Sequence, residues 1–166
     1  MVESLVHWGI RRVLVVNGHG GNVDAIRLAA RTARREHGAL VAAVMWAQLA
    51  AEEVARHARS ERYGHACEIE TSVAMVLAPA SLHADRIAEP RPARGPSPLV
   101  DPPGARVDRP TWFHELTENG ALGDPRLASE EIGRAVVDAA YEPALAFARG
   151  LADEPLPEQE ERWTPR

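Results

Sequence analysis

The sequence predicts a doubly wound α/β domain, and three observations carry that expectation. The aliphatic run Val13-Leu14-Val15-Val16 reads as a central strand buried on both faces of a parallel sheet. An amphipathic segment and a second apolar run, Ala39 to Trp46, follow it in strand, helix, strand order, which in a parallel sheet requires a right-handed crossover. The third is composition. Of 166 residues, 45% are hydrophobic but only 5% aromatic, so small aliphatic side chains must fill the space between helices and sheet. A chain of this size suits one core, expected over residues 1–152.

The elements follow in order. Val2, Leu5 and Val6 recur at helical spacing, and Gly9 stops that helix before the first strand. After the glycine cluster at 18–21, Asn22 is expected to cap a helix with Asp24 in its first turn. Ile26, Ala29, Ala30 and Ala33 form its apolar stripe, and Gly38 ends it. A helix from about Gln48 to Ala58 follows the second strand, and an apolar helix through Val73, Met75, Val76 and Leu77 begins near Ala66. Residues 87–110, rich in Pro, Arg, Ala and Gly, show neither period and read as a long excursion loop, a flap or a subunit contact. Ser129 caps a last helix, with Glu130 and Glu131 in its first turn and Ile132, Val136, Ala139 and Ala140 toward the core; Pro143 should interrupt it. The tail 153–166, with Pro155, Pro157 and a charged run, is expected to fray.

Charge and cysteine usage exclude several classes. A net charge of −5, with no basic cluster, argues against nucleic acid or an anionic membrane as partner. The nineteen basic residues, all arginine, are scattered along helices as a solvated face. The single cysteine, Cys67, permits no internal disulfide and no Cys-rich zinc module, which points to a reducing, cytoplasmic setting.

Two stretches carry chemistry. Asn17-Gly18-His19-Gly20-Gly21-Asn22 lies beyond the carboxyl end of a strand and before a helix, where α/β sheets present their ligands. It is not a dinucleotide-binding turn, because the third glycine of that fingerprint is missing and the second strand ends at Trp46-Ala47-Gln48 with no acidic residue poised for a ribose. A histidine among glycines has room around its ring and suits a metal, although a hydrogen bond within a tight turn would also explain it. The second stretch is His65-Ala66-Cys67-Glu68-Ile69-Glu70-Thr71-Ser72. With a helix starting near Ala66, His65 stands at its mouth and Glu68 one turn on, a histidine and a carboxylate that zinc or manganese would accept. The alternative makes Glu68 and Glu70 favourable charges at a helix N-terminus.

Together the two stretches resemble the signatures of the creatininase family: its Asn-Gly-His-Gly-Gly-Asn turn and its His-Ala-Gly-Glu-x-Glu-Thr-Ser segment. Asn119 to Ser129, with Glu131 and Gly133, is similar to its C-terminal loop and helix. The resemblance implies a three-layer α/β/α fold with a mainly parallel sheet and a binuclear zinc or manganese centre that activates water. The reaction implied is hydrolysis of a C–N bond in a linear or cyclic amide of a small molecule, by a homo-oligomer, commonly a hexamer. By position it makes His19 a metal ligand and Glu68 the carboxylate ligand. In members with Asn-Gly-His-Tyr-Glu-Asn that carboxylate comes from the first motif, where Gly21 stands here. His65 would be the proton shuttle. Asn17, Gly18, Gly20, Gly21 and Asn22 would build the turn, Glu70 and Thr71 would orient the second motif, and Trp46 would form a substrate wall or pack in the core. Two departures are visible: Cys67 replaces the family's glycine, and no Glu-x-His pair precedes His19. The expectation is therefore an N-terminally truncated hydrolase. The alternatives are a catalytically incomplete remnant with a structural or oligomerising role, and a peptidase maturing a small peptide precursor.

Overall fold

The computed structural model describes residues 1–93 and 112–157. They fall into two compact units: Met1–Ala51 together with the chain from Ala139 onward, and Glu52–Asp138.

In the first unit, strands β1 (Arg12–Asn17) and β2 (Leu40–Met45) pair in parallel, with Arg12 opposite Leu40 and Asn17 opposite Met45. The crossover between them is helix α2 (Val23–His37), closed by Gly38 in the left-handed conformation, φ +56°. Helix α1 (Val2–His7) packs on α2, and the Arg11 guanidinium donates to the Gly38 carbonyl at 2.8 Å, tying the start of β1 to the end of α2. The chain is thus an α/β protein with a parallel sheet. Among the described residues that sheet has two strands, so β1 is not flanked on both sides as its aliphatic run predicts, and Val16 is 67% exposed. The buried line of α2 also differs from expectation. Val23, Ile26 and Ala30 are half-buried and Ala33 is fully so, whereas Ala29 faces solvent. A line at i, i+3, i+7 and i+10 follows the 3.6-residue period more closely than one widened to Ala29.

The predicted helix from 48 to 58 is two: α3 (Trp46–Leu49) and α4 (Ala51–His57), broken at Ala50. In the second unit, helix α5 (Glu68–Leu77) starts at Glu68, two residues later than predicted, because His65 is taken up in an antiparallel bridge with Leu122. Helix α6 (Glu130–Asp153) runs through Pro143 without interruption; its first nine residues belong to the second unit and the rest to the first. Ser129 caps α6 as expected, its Oγ accepting from Ile132 N at 3.2 Å. Its own N–H donates to Ser72 Oγ at 2.9 Å, which ties the start of α6 to α5. The two helices cross at Gly133, where a β-carbon would stand 2.0 Å from the Ser72 carbonyl oxygen.

Most of the predicted excursion loop lies outside the described residues. Its beginning is held down: Pro92 bridges Thr117, and Asn119 accepts from Arg91 N at 3.1 Å and donates to the Glu89 carbonyl at 2.9 Å. Of the predicted tail, residues 153–157 are described, and the Arg12 side chain donates twice to the Glu154 carbonyl, at 3.1 and 2.9 Å. Among the described residues no helix is long and apolar enough to cross a membrane.

Candidate metal and proton-transfer site

The first motif leaves the carboxyl end of β1 and forms a short 3-10 turn, Gly20–Asn22, before α2. Its organiser is Asn17, 4% exposed, the last residue of the strand. Asn17 Oδ1 accepts from His19 N at 3.2 Å and from Asn22 Nδ2 at 3.2 Å, while its Nδ2 donates to the His19 carbonyl at 2.9 Å. Contrary to the expectation from its position, Asn22 makes no side-chain cap on α2; its Nδ2 donates to Asn17. A side-chain amide bonded to backbone two residues on is a local turn clamp, which fixes where the next residues point. From the end of β2, Trp46 Nε1 donates to the Gly18 carbonyl at 3.4 Å, a second tie on the same turn.

The His19 side chain is exposed and its ring lies over Gly21. A β-carbon at Gly21 would stand 2.8 Å from His19 Nε2 and 3.1 Å from Cδ2. Gly21→Ala is therefore expected to rotate the imidazole while leaving the fold intact, since the obstructing atoms end a flexible side chain. The melting temperature should stay close to that of the parent while the His19 imidazole resonances move in a proton NMR spectrum. A variant with unmoved resonances would mean that the ring does not rest on Gly21.

In the second unit, His65 is not on the helix. Its backbone exchanges both hydrogen bonds with Leu122, at 3.3 and 2.7 Å, and its half-buried ring meets Phe113 edge to face at 4.6 Å between centroids. Ala66 then adopts φ +43°, turning the chain into α5, and Glu70 reaches back to accept from Ala66 N at 2.7 Å. Cys67 is 1% exposed at the N-cap, and Thr71 is buried beneath the first turn.

Glu68 is fully buried. Its Oε1 accepts from Arg59 N at 2.9 Å and Ser60 N at 2.8 Å, and its Oε2 from Ser60 Oγ at 3.0 Å and Asp124 N at 3.2 Å. Burial alone would raise its pKa. The Ser60 N–H, its own N–H, the Arg59 N–H and the Ser60 hydroxyl more than offset that and hold the carboxyl below its ordinary range. Asp124 is itself clamped by Arg126, whose Nε and Nη2 donate to the carboxylate at 2.9 and 2.7 Å and keep its pKa low.

A metal fits these residues unequally. His19 presents an exposed imidazole on a rigid turn at a strand end, a donor that zinc or manganese accepts. Glu68 does not fit, because a carboxylate has about four acceptor positions and all are taken. Among the described residues, the one cluster of three metal-ligating side chains is Glu3, Glu36 and His37, away from both motifs in sequence and largely exposed. Sequence reasoning missed Ser60 and the role of Gly123 and Asp124. The last two lie in the Asn119–Ser129 stretch already singled out, while nothing near Ser60 marked it as the donor of two bonds to a residue eight positions away.

The chain is thus an α/β protein with a clamped histidine at a strand end and a second histidine ahead of a buried acidic helix start. The chain belongs to the creatininase (creatinine amidohydrolase) family, whose pattern matches residues 1–148. It is similar in structure to a candidate creatinine amidohydrolase from Bacteroides fragilis NCTC 9343, with 26% identity and a TM-score of 0.74, covering 95% of this chain and 60% of that one. It is also similar to a creatinine amidohydrolase (creatininase) at 24% identity and TM-score 0.65, covering 93% and 61%, and to a manganese form of creatininase at 22% and 0.63, covering 90% and 60%. The chain thus spans about three fifths of the length of these structures. No protein of curated function matches it significantly.

Proposed function

We propose that this chain forms part of a metal-dependent amidohydrolase that cleaves a C–N bond in a small linear or cyclic amide. The observation that carries the reading is the Asn17-clamped turn presenting His19 at the end of β1, in a chain of the creatininase family. Bound zinc or manganese, present in the family's solved structures, would supply an activated water at neutral pH. His19 is the proposed ligand from this chain. His65 is the proposed proton carrier: its ring is oriented by Phe113 and its backbone fixed by Leu122, and an imidazole gives and takes protons near neutral pH. Trp46 is the proposed wall beside the His19 turn, held there by its bond to Gly18. A homo-oligomer and a cytoplasmic setting belong to the same reading.

The test is metal content. Purified protein should carry zinc or manganese in stoichiometric amount, and His19→Ala should remove it while His65→Ala retains it. Folded wild-type protein without metal would sink the reading. It would favour instead a catalytically incomplete member of the family, the alternative to which the saturated Glu68 carboxylate lends support.

A further inference from the structure

We infer that Glu68 is a positioning residue: its carboxylate clamps the Arg59–Ser60 turn and the Leu122–Asp124 segment to the start of α5, fixing His65 in place, and it does not ligate a metal. Oε1 holds the turn through two backbone N–H groups, and Oε2 bridges from Ser60 Oγ to Asp124 N. Ser60 Oγ also accepts from Asp124 N at 2.9 Å, so turn and segment are laced to each other as well as to the glutamate. Two residues before Asp124, Leu122 exchanges both backbone bonds with His65. The segment is therefore pinned at one end by the backbone of His65 and at the other by the carboxylate of Glu68.

Gly123 lies between these two pins with φ +107°, where a β-carbon would stand 2.5 Å from Cys67 Cβ and 2.8 Å from Glu68 Oε2. The close approach exists only because that residue has no side chain. It also explains how Cys67 is accommodated beside the clamp: its β-carbon occupies the space Gly123 leaves open. Ser72 Oγ donates to the Glu68 carbonyl at 2.5 Å and fixes the residue's backbone from the other side. To coordinate a metal, the carboxylate would have to abandon these donors, of which Ser60 and Asp124 are half-buried, and leaving such donors unpaired is unfavourable.

The inference rests on the packing of the second unit and not on the chain's holding metal, so it and the proposed function fail separately. The experiment compares wild type, Glu68→Gln and, as a control of similar destabilisation outside Glu68's hydrogen-bond partners, Val136→Ala. The readouts are thermal melting with and without EDTA, stoichiometry and visible spectrum on titration with Co²⁺, and the His65 imidazole resonances by NMR. Glu68→Gln places an amide N–H₂ against existing donors. It should melt several degrees lower, by the same amount with and without chelator, and shift the His65 resonances, which Val136→Ala leaves in place. It should keep the wild-type cobalt stoichiometry and band positions. A Glu68→Gln protein that melts like wild type, leaves His65 unmoved, or loses cobalt that wild type binds overturns the inference. A wild type that binds no cobalt counts against the proposed function alone, and the clamp is then decided by melting and by His65. Ser60→Ala, which removes a single hydroxyl from the clamp, gives the same readouts with a smaller thermal shift if Glu68→Gln does not fold.

Discussion

Replacing Gly133 with alanine is expected to lower the melting temperature by about 10 °C, on the order of 3 kcal/mol of stability. The added carbon would stand 2.0 Å from the Ser72 carbonyl oxygen, 2.7 Å from its carbon and 2.8 Å from Val76 Cγ2. Two of these three atoms are backbone of α5, so no rotamer change relieves the overlap, and the helices must separate. Separation would pull Ser129 N from Ser72 Oγ and expose Val136, which is fully buried. Gly150, in the same helix, is the control: nothing lies within 4 Å of its would-be β-carbon, and alanine there should leave stability unchanged or raise it by roughly 0.5–1 kcal/mol. Thermal melts followed by circular dichroism decide it, and equal behaviour of the two variants would mean that α5 and α6 do not cross at Gly133.

Glu68→Ala should be nearly as damaging, by about 3 kcal/mol, because it leaves the N–H groups of Arg59 and Ser60 and the Ser60 hydroxyl without their acceptor and Asp124 N with Ser60 Oγ alone. The same bonds give a pH dependence. The folded carboxyl titrates below its ordinary value of 4.5, so its contribution is fully present above that value and is lost as pH falls through the lower folded value. Acidification from pH 7 should therefore leave stability intact until about pH 4.5 and then reduce it, more steeply in the wild type than in Glu68→Gln. Urea midpoints measured at successive pH values would show this, and parallel curves for the two proteins would assign the acid sensitivity to other carboxylates.

What the sequence showed of this fold was what neighbouring residues decide. β1 and β2 lie within a residue or so of their aliphatic runs, α2 ends at Gly38 as the glycine signals, and Ser129 caps α6. Positions decided by distant partners were not legible. α5 starts late because Leu122 claims the backbone of His65. Glu68 reads from local spacing as a ligand one turn from a histidine, yet Asp124, 56 positions on, supplies one of the donors that fill its carboxylate. The His19 turn was visible because everything that shapes it lies between residues 17 and 22, apart from Trp46.

The two-stranded sheet has a consequence for handling the protein. A strand paired on one side only presents a row of backbone donors and acceptors to solvent, and natural edge strands blunt that row with charges or proline. β1 carries one charge, Arg12 at its first position, and β2 carries none. Arg12 is moreover bent back onto the Glu154 carbonyl, and Val16 lies open to water. Among the described residues the outer edges of this sheet are thus a template on which further strands can add, and self-association at high concentration is expected to begin there.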